Sequence, residues 1–223
     1  MNKPFIALLG ALVLGGCLSI NSDIEVPDGE NAERSLKTVN GSIRIGNGST
    51  VDGSVKTVNG SITAGIDSRI AGSIETVNGK IDLERGVRAG SVSTVNGSIS
   101  VGDAAEIAGA AETVNGQIVV GAEATVERLV SSVNGQIRVE GGTVGGLENA
   151  EGGIVVGPGS RVLGELRIVR QRGSNRDKPL MVEIHADAEV AGPLRFEREV
   201  RLRIHESATV GEIRGAEPEY FSD

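Results

Sequence analysis

The chain is 223 residues long and 23% charged, with 22 basic against 30 acidic side chains and a formal net charge of −8. A surface of that sign is a poor partner for nucleic acid or for anionic lipid headgroups. One cysteine excludes an intramolecular disulfide, and no tryptophan, one tyrosine and three phenylalanines exclude a core built on aromatic side chains.

Residues 1–16 read as a signal segment. Lys3 supplies the positive start, Phe5 to Leu14 is an apolar run, and Leu14-Gly15-Gly16-Cys17 closes it. The run is too short to span a bilayer, which takes roughly 20 residues. Its end resembles the lipobox of bacterial lipoproteins, a likeness that covers residues 1–18. The resemblance implies cleavage before Cys17, a thioether lipid on its sulfur and acylation of the new amino terminus. Because residue 18 is leucine and not aspartate, it also implies sorting to the outer membrane, with the periplasmic or surface face left open. The plainer alternative is an ordinary signal followed by a buried or oxidisable cysteine. Loss of residues 1–16 removes one charge, Lys3, and leaves a formal net of −9. Membrane attachment must then come from the acyl chains, several of which hold more firmly than one. Residues 17–34 are polar, contain Pro27 and Gly29 and show no sustained period, so they read as the lipidated terminus and a tether.

A repeat follows. Thr-Val-Asn-Gly occurs at 38–41, 57–60, 76–79, 94–97 and 113–116, and Ser-Val-Asn-Gly at 132–135. The asparagines Asn40, Asn59, Asn78, Asn96, Asn115 and Asn134 are spaced by 19, 19, 18, 19 and 19 residues. So short a period means one unit stacked on copies of itself. Within it, Ile43/Ile45, Ile62/Ala64, Ile81/Leu83 and Ile99/Val101 alternate with polar residues at strand periodicity. A second apolar column is Val51, Ile70, Val87, Ile107 and Val126; a third is Leu36, Val55, Ile74, Val92, Ala111 and Val130. Glycine and asparagine fall between them, where a coil turns a corner. Three short strands per unit predict an all-β fold, a parallel β-helix over 35–215 of about nine rungs, about 40 Å long at the spacing of paired strands. The prevailing 19-residue unit favours the right-handed form over the 18-residue hexapeptide type.

Beyond the motif, Glu151-Gly152 takes the Asn-Gly slot, and Ile184–Val190 is echoed twenty residues later by Ile204–Val210. Between them, residues 170–179 (RQRGSNRDKP) read as a loop inserted in a late rung. Residues 216–223, with Pro218, Tyr220 and Phe221, read as a tail or cap over the last rung, whose strand edges otherwise invite end-to-end self-association. The rival architecture is a hairpin meander or an outer-membrane barrel, since Asn-Gly is a strong hairpin signal. It lacks aromatic girdles and long alternating strands, and it would not set identical residues side by side.

Chemistry-bearing residues are sparse. Stacked asparagines can bond along a ladder, so the six read as structural before they read as a stripe for ions or sugars. The Gly-Gly-x-Gly-x-Asp calcium nonapeptide is absent. His185 and His205 fall in one column and are the only metal candidates; two histidines alone do not make a site. Arg167, Arg170, Arg172, Arg176 and Lys178 form a basic run able to dock a phosphate or an acidic glycan, or simply to be solvated. No nucleophile with a supporting base, no phosphate-cradling loop and no pair of carboxylates stands out, so no cofactor or catalytic residue is assigned.

The Ile/Val columns with glycine, as in AGSIETVNGKIDL and Glu123–Leu129, resemble the bactofilin solenoids and the bacterial putative-adhesin β-solenoids over roughly 35–215. Bactofilins imply non-enzymatic scaffolding by end-to-end polymerisation; the lipobox and the aromatic tail depart from that pattern. The expectation is a non-enzymatic, lipid-anchored structural or adhesin-like element of the cell envelope. Its partners are the membrane, through the lipid, and envelope polymers or proteins. The alternatives are a carbohydrate-binding or carbohydrate-active β-helix and a bactofilin-like filament scaffold.

Overall fold

The computed structural model describes residues 18–19, 21–171 and 178–222. The signal segment, Cys17, and Arg172 and Arg176 of the basic run lie outside these residues. Among the described residues there is no helix. Short strands of β-branched residues wind into a parallel β-solenoid of three ladders.

The first ladder begins at Ile24–Val26, repeats at Ile43–Ile45, Ile62–Ala64, Ile81–Leu83, Ile99–Val101, Ile118–Val120, Ile137–Val139 and Ile154–Val156, and ends with Leu180–Ile184, Val200–His205 and Pro218–Phe221. Its 11 strands mark about ten turns, or about 48 Å of rod at the usual strand spacing. The second runs from Asn31–Ala32 through Thr50–Val51, Arg69–Ile70, Arg88–Ala89 and Glu106–Ile107 to Thr209–Val210. The third holds Leu36–Thr38, Val55–Lys56, Ile74–Asn78, Val92–Asn96 and Ala111–Asn115, and ends at Ile213–Arg214. All pairings are parallel, and the inward positions join like to like, as in Ile43↔Ile62, Ile81↔Ile99 and Thr94↔Thr113. The meander and the barrel are thereby excluded for these strands.

Alternation dictates what is inside. In each three-residue strand the outer two side chains point inward and the middle one outward. Ile62, Ile74, Ile118 and Ile137 are fully buried. The predicted column Leu36–Val55–Ile74–Val92–Ala111–Val130 is continuous, and Leu147, Leu166 and Leu194 extend it. The interior is a stack of aliphatic side chains closed by Phe196 near the carboxyl end.

Nine successive coils also contain one residue each in the left-handed region. These are Gly29, Gly48, Asp67, Gly86, Ala104, Glu123, Gly141, Gly159 and Asp187, with φ between 54° and 79°. They sit in the tight turn that leads from the first ladder to the second, where a positive φ suits glycine best.

Three expectations change. The coil begins earlier than residue 35. Ile24 pairs with Ile43 and Asn31 with Thr50, because Val26 enters the core and Pro27-Asp28-Gly29 is the first of the left-handed turns, not a linker. Val87 leaves its predicted column: Ala89 pairs with Ile107, so Ala89 fills the Val51–Ile70 column and Val87 stacks with Ala105 two positions earlier. The one-residue deletion in that unit falls after Ala89, at the corner. The tail is not a cap laid across the end. Pro218, Glu219, Tyr220 and Phe221 pair in parallel with Leu202–His205 as one more strand, and proline is tolerated there because an edge strand needs no second row of bonds. The solenoid therefore spans 18–221 and not 35–215. The late insertion is present: Arg161 and Glu189, partners on adjacent coils, are 28 residues apart.

Candidate functional site

The Thr-Val-Asn-Gly corner joins the third ladder to the first, and each of its residues has a distinct role. The threonine points inward, buried, and its hydroxyl donates to a glycine carbonyl of the preceding coil. Thr57 bonds Gly41 at 2.8 Å, Thr76 bonds Gly60 at 2.9 Å, Thr113 bonds Gly97 at 2.9 Å and Ser132 bonds Gly116 at 3.1 Å. Valine is half-exposed on the outside in the first five copies, and Val133 in the sixth is buried. Asparagine is exposed and bonds its own column: each Nδ2 donates to the Oδ1 of the previous asparagine at 2.8 Å, from Asn40 to Asn134. The glycines stack so closely that a Cβ on any of them would lie within 3.0 Å of the carbonyl beneath.

The ladder has a seventh member that the sequence reading missed. Asn21 accepts from Asn40 and stands 19 residues before it, but Ser22 replaces the glycine, so the motif breaks while the period does not. At the other end the side chains change and the contacts persist. Asn149 takes the threonine position and donates to Gly135 O at 2.7 Å. Glu151 takes the asparagine position and pairs with Arg198 at 2.9 Å, both side chains nearly buried.

The histidines do share a column, since Ile184 pairs with Ile204 immediately before them. Phe221 packs edge-on to both, 5.9 Å from His185 and 5.2 Å from His205, and the Arg203 guanidinium lies 4.6 Å over its ring. The His205 Nδ1 accepts from the Ser207 backbone N–H at 3.1 Å. Among the described residues no group of three or more histidine, cysteine, aspartate or glutamate side chains is placed to hold a metal. The two rings form the surface on which Phe221 of the last strand packs.

The basic run does not converge in the described residues. Arg167 lies on the third ladder, hydrogen-bonded to Glu197 and near Glu148. Lys178 contributes a carbonyl to Arg198. Arg167 instead heads a different column, Arg167–Arg195–Arg214, and each of its arginines has a carboxylate partner, Glu197, Glu165 and Glu212 respectively.

The same outward column continues toward the amino end as Glu148, Ser131, Glu112, Ser93, Glu75 and Lys56. Burial pushes the Glu112 carboxyl above its usual value. Burial also raises Glu148, against the pull of Arg167 and with further push from Glu165, Glu197 and Glu112. Glu197 moves the other way, held low by the Arg167 hydrogen bond and the Arg170 backbone N–H. Two shallow recesses flank this column, one of about 280 Å³ over Arg195, Phe196 and Arg214, the other of about 250 Å³ beside Leu129, Gly146, Glu148 and Glu165.

No family model, curated protein or solved structure matches the chain.

Proposed function

We propose that the protein is a non-enzymatic, lipid-anchored rod of the cell envelope, held at the outer membrane through Cys17 and acting as a structural or adhesin-like element toward envelope polymers or proteins. The observation that carries this reading is the stack of parallel strands that runs, among the described residues, from Leu18–Ser19 to Pro218–Phe221. Its inward side chains fill a core, and much of its outward polar surface is engaged in bonds between coils, such as the asparagine ladder and Lys56–Glu75 at 2.9 Å. Leu18–Ser19 already pairs with Lys37–Thr38. A lipid on Cys17 therefore attaches directly to the first coil, and the rod is coupled to the membrane without a spacer.

The test is the Cys17→Ser chain expressed in a bacterium that processes lipoproteins. The reading expects its release from the membrane fraction; undiminished membrane retention refutes the anchor. A second reading, a carbohydrate-active β-helix, is favoured by the Glu112–Ser131–Glu148 column beside a recess, two half-buried carboxyls with raised proton affinity. Release of sugars from cell-wall polymers by the mature chain, lost in Glu148→Gln, would establish that reading in place of the first.

A further inference from the structure

We infer that the Val-Asn-Gly corner is a contact surface on which a second copy of this chain lies side by side with the first. The corner is a stripe along six coils of the rod almost free of charge. Over six coils, from Val39–Ser42 to Val133–Gln136, its positions are valine, asparagine, glycine and then serine, lysine or glutamine, and Lys80 is the only charged residue among them. The chain as a whole is 23% charged. Depletion of charge at the centre of a patch marks protein interfaces more reliably than hydrophobicity does.

The ladder bonds use one hydrogen of each Nδ2 and one lone pair of each Oδ1, so each amide keeps one donor and one acceptor for a partner. The asparagines are exposed, and Val39, Val58, Val77, Val95 and Val114 beside them are half-exposed. These groups repeat at the rung spacing, about 4.8 Å. A partner that meets all of them together must carry the same repeat, and a second copy does so by construction. Its donors, acceptors and valines are complementary to themselves, as a two-fold contact requires.

Charge points to the side and not to the ends. The first coil presents Asp23, Glu25, Asp28, Glu30 and Glu33 against Arg34, and the last presents Glu206, Glu212, Glu217 and Glu219 against Arg214, so both ends are net acidic. End-to-end stacking opposes like charges, whereas the stripe lets two chains of net charge −8 approach without that repulsion. Six rungs of a face about 15 Å wide give about 430 Å² per copy, which places the contact in the weak, reversible class below about 1,200 Å² in total.

Asn78 is one of the two central asparagines of the six coils, so it lies opposite its own copy when the two rods run in the same direction and within about one rung of it when they run in opposite directions. The test is oxidative cross-linking of the full chain carrying Cys17→Ser, with a new cysteine at Asn78→Cys or, leaving the ladder intact, at Lys80→Cys. Arg69→Cys on the second ladder is the control. The expected result is covalent dimer at roughly ten times the control yield, abolished by adding Val77→Glu, with circular dichroism unchanged. Equal yields on the two faces overturn the proposal. So does a monomer that instead binds insoluble cell-wall glycan through the stripe and loses that binding in Val77→Glu.

Discussion

Gly79 lies directly over the carbonyl oxygen of Gly60, too close for any Cβ to intervene. The contact recurs through Gly97, Gly116, Gly135 and Gly152, so the glycine of Asn-Gly serves close approach of backbones and not a left-handed turn. Gly79→Ala must push two coils apart or break the Thr76–Gly60 bond. It is expected to destabilise by about 3–5 kcal/mol, in the range of severe core lesions. Gly48→Ala is the comparison: φ is +62° with open space around it, and the expected cost is about 1–2 kcal/mol. Urea titration of both variants checks the order; equal costs would contradict the close-approach role.

The left-handed column gives the opposite kind of variant. Ala104 and Glu123 hold φ of 54° and 58° where neighbouring coils use Gly86 and Gly141. Alanine in that conformation costs about 1–2 kcal/mol, and glycine loses part of this advantage through unfolded-chain entropy. Ala104→Gly is therefore expected to stabilise by about 0.5–1 kcal/mol, read as a higher thermal midpoint. A lower midpoint would show that the turn tolerates alanine without strain.

In the asparagine ladder, Asn78 donates to Asn59 and accepts from Asn96, each at 2.8 Å. Asn78→Ala removes both bonds at an exposed site, an expected loss of about 1 kcal/mol. Asn78→Asp keeps the acceptor but sets a carboxylate against the Asn59 Oδ1, with no proton to offer. At neutral pH it should cost more than alanine, and the excess should shrink as the new carboxyl is protonated. Melting curves across pH read this directly; an aspartate as stable as asparagine would mean that the ladder contributes nothing.

Glu112 is half-buried and its carboxyl is raised above 4.5 by that burial. The sign follows: a folded-state value above the unfolded one favours the folded chain in acid, and that stability is lost as pH rises through the raised value. Glu112→Gln removes the cost of burying charge, so it is expected to melt higher than the parent at neutral pH and to lose the advantage below about 4.5. A pH-independent difference would assign the effect to packing.

The first and third ladders were legible because each column repeats one chemical type at one period: the Ile43/Ile45 pair and the Leu36–Val130 column stand in the structure as the spacing predicts. Ala89 was misread because alanine gives a weak apolar signal, and the neighbouring Val87 drew the alignment off by two. Asn21 and the first coil were hidden by Ser22, which ends the motif without ending the register. The Glu151–Arg198 pair had no signal at all, since its members are 47 residues apart and neither repeats. The Glu112–Ser131–Glu148 column was invisible for a related reason: outward positions change from lysine to glutamate to serine to arginine, and only the register of the ladders aligns them.

Stacking of equivalent coils is most directly tested by removing one. Deleting Thr57–Glu75 takes out a whole coil and joins Lys56 to Thr76 in phase, so the coils on either side can pair as before. Deleting residues 57–66 takes out the Thr57–Gly60 corner and the first-ladder strand Ile62–Ala64 and leaves a coil that cannot close. With thermal unfolding as the measurement, the whole-coil deletion should retain a cooperative transition close to the parent's, and the half-coil deletion should lose it. Equal damage from the two deletions would contradict the account.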